Sequence, residues 1–176
     1  MSDWQNLNGE WQFANASAGQ APPFNQTLAE SVLVPFPIES ALSGIQRRQD
    51  RMWYRRTFTL PSGWNGRRVQ LHFGAVDWEA TVYVNGQSVG SHKGGVDGFS
   101  FDITDRLKAG AANELIVGVS DPTSAGEQPV GKQRPGRYLR HFTSEVWIAD
   151  GSGGGWNGNA SFTTDVSWNV VAPWAP

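Results

Sequence analysis

Asp77-Trp78-Glu79 sets two carboxylates around one indole between two runs of alternating residues. Carboxylates accept paired hydrogen bonds from vicinal hydroxyls, and an indole covers the C–H face of a sugar ring, so the triplet carries the functional groups of a saccharide site. The glycine-rich segment Ser91–Gly98 adds the donors His92 and Lys93 and the acceptor Asp97, and Asp121, Lys132 and Gln133 stand in later connections. For each of these the competing reading is a solvated loop side chain. The expected binding set is Asp77, Trp78, Glu79, His92, Asp97, Asp121, Lys132 and Gln133.

Other chemistries lack their residues. There is no H-E-x-x-H, no G-x-S-x-G and no phosphate-binding loop, and the only imidazoles are His72, His92 and His141. His72 lies between Leu71 and Phe73 in an alternating run, so it faces away from them as an exposed strand residue. The absence of cysteine removes disulfides, thiolate metal sites and a thiol nucleophile. No cofactor or metal is expected. If the chain hydrolyses glycosides, its acid and its base or nucleophile come from Asp77, Glu79, Asp97, Asp121 and Glu145. Such a pair must sit about 5 Å apart for retention or roughly 6.5–9.5 Å apart for inversion.

The elements that position these residues are strands. Val69, Leu71 and Phe73 alternate with Gln70 and His72, and Val82 and Val84 alternate with Thr81 and Tyr83. Asn85-Gly86 tolerates positive φ at both central residues of a type I′ turn and predicts a hairpin between Ala80–Val84 and Gln87–Gly90. Trp11 and Phe13 face inward from another strand, and residues 14–29 form a surface loop rich in Asn, Ser, Gly and Pro. Val32-Leu33-Val34 reads as a short buried strand, and Met52–Leu60 as a longer one with Trp53 in the core. Trp64 covers a sheet end. Phe99–Ile103 and Glu114–Ser120 follow as strands, with one helical turn over Thr104–Gly110. No window sustains the i, i+3, i+4 spacing of an amphipathic helix. About eight strands at roughly ten-residue intervals predict an all-β sandwich.

Several motifs in order carry a family resemblance. Leu7–Trp11, Val34-Pro35-Phe36-Pro37-Ile38-Glu39-Ser40, Trp53–Phe58, the run from His72 to Gly86, Gly90–Gly95, Phe99–Asp105, Asp121-Pro122 and Gly131-Lys132-Gln133 together resemble the N-terminal sugar-binding domain of glycoside hydrolase family two. That family includes β-galactosidases, β-glucuronidases and β-mannosidases. The resemblance implies a galactose-binding-like jelly roll, with the position of Asp77 projecting toward a sugar, Val34–Ser40 near the sugar-facing side, and Asp121, Lys132 and Gln133 bordering the site. The family's catalytic glutamates belong to a separate (β/α)₈ barrel, for which these 176 residues have no room. The expectation is therefore a non-catalytic carbohydrate-binding module, with a small stand-alone hydrolase or a structural β-sandwich as alternatives. Thr143–Ile148 matches a final family strand, with Glu145 where glycine is usual.

The organisation expected is a jelly-roll domain over residues 1–150 and a linker with a divergent strand or tail over 151–176, beginning at Gly151-Ser152-Gly153-Gly154-Gly155. A net charge of −2 gives no electrostatic footprint for nucleic acid or an anionic membrane, and no apolar run is long enough to span a bilayer. The partner expected is a β-glycoside or polysaccharide. Apolar surface on the sandwich and three tail tryptophans, Trp156, Trp168 and Trp174, also predict a homodimer. As written the chain predicts a cytoplasmic location, or a secreted one if a signal peptide has been removed.

Overall fold

A computed structural model of the protein describes residues 4–122 and the backbone of two later strands, Tyr138–Phe142 and Glu145–Ala149. The chain divides into two compact units, Met1–Gln128 and Pro129–Pro176. In the first unit, β1 (Gly9–Asn15), β2 (Glu30–Val34), β3 (Arg51–Thr59), β5 (Glu79–Val84), β6 (Gln87–Lys93) and β8 (Ala112–Ser120) form one sheet in the order β2-β1-β3-β8-β5-β6. Every pairing in it is antiparallel. β4 (Gln70–Phe73) and β7 (Phe99–Asp102) form the facing pair of the jelly-roll sandwich. In the second unit β9 (Tyr138–Phe142) and β10 (Glu145–Ala149) make an antiparallel pair.

The pleat sends alternate residues to opposite faces. From the large sheet, Trp11, Phe13, Met52, Phe58, Val82, Val84, Leu115 and Val117 meet Val69, Leu71 and Ile103 in the main core. The hairpin turn is the type I′ form that its residues predict, with φ of 50° at Asn85 and 81° at Gly86. Among the described residues the only helices are three single 3₁₀ turns, Ala41–Ser43, Ser62–Trp64 and Thr104–Arg106. The turn expected over Thr104–Gly110 thus stops short of its glycine.

Trp53, Leu28 and Ile116 form a second cluster on the outer face of the large sheet, with Phe24 and Tyr83 packed against it. The segment 14–29 is therefore more than a surface loop, because it must cover apolar side chains that strand parity turns away from the main core. Gly118 lies opposite Trp53 in the β3–β8 ladder, and a Cβ there would sit 2.9 Å from the indole Cη2. Trp53 is a packing residue held by that gap. β2 is an edge strand with Val32 buried and Leu33 41% exposed, so the apolar triplet overstated its burial.

Candidate functional site

Strand direction gathers loops at one end of the large sheet. Glu79 at the start of β5 stands opposite Ser120 at the end of β8 and Lys93 at the end of β6, while Arg51 at the start of β3 also pairs with Ser120. Asp77, the 94–98 loop and Asp121 consequently emerge together. The Asp121 amide donates to the Asp50 carbonyl at 2.8 Å, and the Gly94 amide donates to the Trp78 carbonyl at 3.0 Å. Gly95 passes directly over Asp77: a Cβ at this position would lie 2.7 Å from the Asp77 carboxyl carbon. The Asp77–Trp78 peptide is cis.

Three carboxylates, Asp77, Asp121 and Glu39, come together here. Partial shielding from water raises the pKa of Asp77 above its ordinary value, and the charge of Asp121 raises it further. Glu39 is raised first by the same shielding. Its own backbone hydrogen bond and Arg48 oppose the shift, while Asp121 and Asp77 add to it. Burial pushes the Tyr54 hydroxyl up, with Glu39 as a second cause. Glu39 was absent from the expected binding set. Its signal was present only as a position in the Val34–Ser40 motif, whose Ile38 is buried in the main core, and it lies near enough to Asp77 and Asp121 for their charges to act on it.

The Asp77-Trp78-Glu79 triplet does not act as one cluster. Glu79 neighbours Ala80, whose side chain is fully buried, so the pleat turns Glu79 outward to Lys93 with Oε1 3.7 Å from Nζ. Trp78 is half-buried beside Asp77. His92 registers with Ala80 and stacks on Phe99 of the facing pair at 4.1 Å between centroids. Its buried Nε2 lies 3.3 Å from Asp97 Oδ2. His92 and Asp97 are thus engaged with each other at the site's edge. His72 is exposed, as its parity predicted, and Ser100 Oγ hydrogen-bonds its Nδ1. Glu145 opens β10 in the second unit, where only the backbone is described, and Lys132, Gln133 and the 151–176 tail lie outside the described residues.

Of the carboxylates considered for hydrolysis, Asp77 and Asp121 come close enough for the charge of Asp121 to act on Asp77. Among the described residues no group of three or more His, Cys, Asp or Glu could hold a metal ion. The arrangement offers ionised acceptors beside a half-buried indole, under a glycine loop that leaves them accessible. This suits hydrogen bonding to hydroxyl groups.

Comparison with known proteins agrees with the fold. The chain is 34% identical over 120 residues to a β-galactosidase of Thermoanaerobacter pseudethanolicus, covering 65% of this chain and 16% of that protein. It is 30% identical over 141 residues to a β-glucuronidase of Paenibacillus borealis, covering 73% of this chain and 23% of the relative. The chain therefore spans less than a quarter of the length of these curated relatives. Among solved structures, Lactobacillus rhamnosus β-glucuronidase superposes with a TM-score of 0.59 at 31% identity, covering 68% of this chain and 21% of that one. Residues 24–128 match the model of the glycosyl hydrolases family 2 sugar binding domain, and the chain accordingly belongs to that family.

Proposed function

We propose that the first unit is a carbohydrate-binding domain whose site is the carboxylate end of the large sheet, and that it acts without a catalytic barrel in these residues. The observation that carries this reading is the convergence of Asp77, Asp121 and Glu39, with Gly95 passing over Asp77, in a domain of the sugar-binding family. Ionised Asp77 accepts hydrogen bonds from adjacent sugar hydroxyls, Trp78 supplies apolar contact, and the 94–98 loop borders the ring. A β-galactoside and a β-glucuronide are the first ligands to try, because relatives bear both names. Calorimetric titration of each against the protein and against Asp77→Ala tests the proposal. Saturable binding lost in the variant supports it, and unchanged binding overturns it.

A second reading is favoured by the raised pKa of Asp77 beside Asp121, since a catalytic acid needs a carboxyl that holds its proton. Release of chromophore from aryl glycosides, abolished by Asp121→Asn, would replace the binding reading with hydrolysis. We also propose a homodimer through edge strand β2 and the adjoining 3₁₀ turn, where Leu33 and Leu42 are 41% and 62% exposed. Sedimentation equilibrium with Leu42→Asp as the comparison checks it.

A further inference from the structure

We infer a second ligand site at the opposite, hairpin end of the large sheet, suited to a monosaccharide-sized hydroxylated carboxylate. A cavity of about 240 Å³ opens there, with Asn25, Arg55, Thr57, Lys108, Asn113 and Glu114 in its lining. The volume falls below the roughly 300–1,000 Å³ of drug-sized pockets, which limits the occupant to about one sugar ring. Every lining residue except Ala112 has a polar side chain, and no aromatic platform is present, so apolar ligands have nothing to bury against.

The hydrogen-bond inventory separates floor from reading groups. Asn113, fully buried, is consumed: its Oδ1 accepts from Asn85 Nδ2 and the Lys108 amide, and its Nδ2 donates to the Lys108 and Ala111 carbonyls. Asn85 is consumed likewise by Asn113, the Arg106 carbonyl and the Glu114 amide. These bonds make a rigid floor. Glu114 Oε1 accepts from Arg55 Nε at 2.7 Å and from the Asn25 amide at 3.0 Å, and Arg55 Nη1 donates to Gln12. Arg55 Nη2 is left over, and Glu114 Oε2 takes only a 3.3 Å contact from the Asn25 amide.

Among the described residues the Thr57 hydroxyl, the Asn25 side-chain amide and the Lys108 ammonium make no intramolecular hydrogen bond or ion pair. Four separate chain segments thus present one hydroxyl, one amide, one carboxylate oxygen and two cationic nitrogens around a single cavity. Such an array of donors and acceptors matches vicinal hydroxyls. The two cations against one anion leave one positive charge, and since Arg55 is paired with Glu114 that charge resides on Lys108. A ligand carrying both hydroxyls and one carboxylate completes the site.

The test is an amide-resolved NMR titration of the whole chain with D-glucuronate, D-glucose and acetate as probes. Expected are saturable shifts at Asn25, Asn85, Asn113 and Glu114, strongest for glucuronate. The double variant Lys108→Ala, Thr57→Val should weaken this response about tenfold or more while keeping the melting midpoint, and Asp77→Ala should leave it intact. The inference is overturned if acetate or glucose matches glucuronate, if the double variant binds as before, or if shifts are confined to Gly94 and Gly95. Because Asp77 is remote from this cavity, failure here is distinguishable from failure of the Asp77 site.

Discussion

The two ends of the large sheet treat charge in opposite ways. At the hairpin end the buried carboxylate of Glu114 is matched by Arg55, and Asn85 and Asn113 share a closed set of hydrogen bonds. At the loop end, on top of partial shielding from water, the charge of Asp121 raises the proton affinity of Asp77, both aspartates raise that of Glu39, and among the described residues Arg48 eases Glu39. Polar groups that serve the fold are satisfied within it. Like charges held together cost stability, and their retention points to work done on a ligand. Asp102, on neither side of this contrast, shows the ordinary stabilising case: hydrogen bonds from Thr104 and then Arg68 lower its pKa to about 2.

The largest way to break the comparison is Glu114→Ala. With Arg55 and Glu114 side chains 14% and 10% exposed, the change strands a buried guanidinium and should cost about 3–5 kcal/mol in urea unfolding. A loss below about 1 kcal/mol would show that the Arg55–Glu114 pair does not support the fold. Next comes Asp77→Ala, for which the expectation is a loss of roughly 1.5–3 kcal/mol of sugar affinity, or about ten- to a hundredfold, with the unfolding midpoint nearly unchanged. Gly95→Ala sharpens the same point. Its Cβ must displace the Asp77 carboxylate, so sugar affinity should fall about tenfold while β5 and β6 stay paired, as read by titration and amide exchange.

The smallest effect is electrostatic. The folded-state pKa of Asp77 lies above its ordinary value of 3.8, so folding binds this proton more tightly than the unfolded chain does. Its favourable contribution is present below the unfolded pKa and is lost as pH rises through the folded pKa. Asp77→Asn should therefore stabilise the protein at neutral pH by less than about 1 kcal/mol, because solvent screens the pair, and the gain should vanish in acid. Asp102 has the reverse sign: its stabilisation is present above 3.8 and is lost as pH falls toward about 2. Denaturation of the wild type and Asp77→Asn across pH 3–7 reads the difference.

Strand periods, the Asn85-Gly86 turn and the ordered motifs determined the sandwich, its hairpin and its family from the sequence alone, because side-chain alternation and turn chemistry are local properties. The same local logic located Asp77 and Asp121 in connections. It could not say that Glu79 would turn out to Lys93 or that His92 would stack on Phe99, because inward and outward are defined only once β5 and β6 pair and the facing sheet arrives. Nor could it find Glu39, separated from Asp77 by two strands, or see that Glu114 and Arg55, 59 residues apart, would close a buried pair. Tertiary structure decided these, since Coulombic and hydrogen-bond energies depend on distance in space and on exclusion of water, and the distance along the chain carries neither.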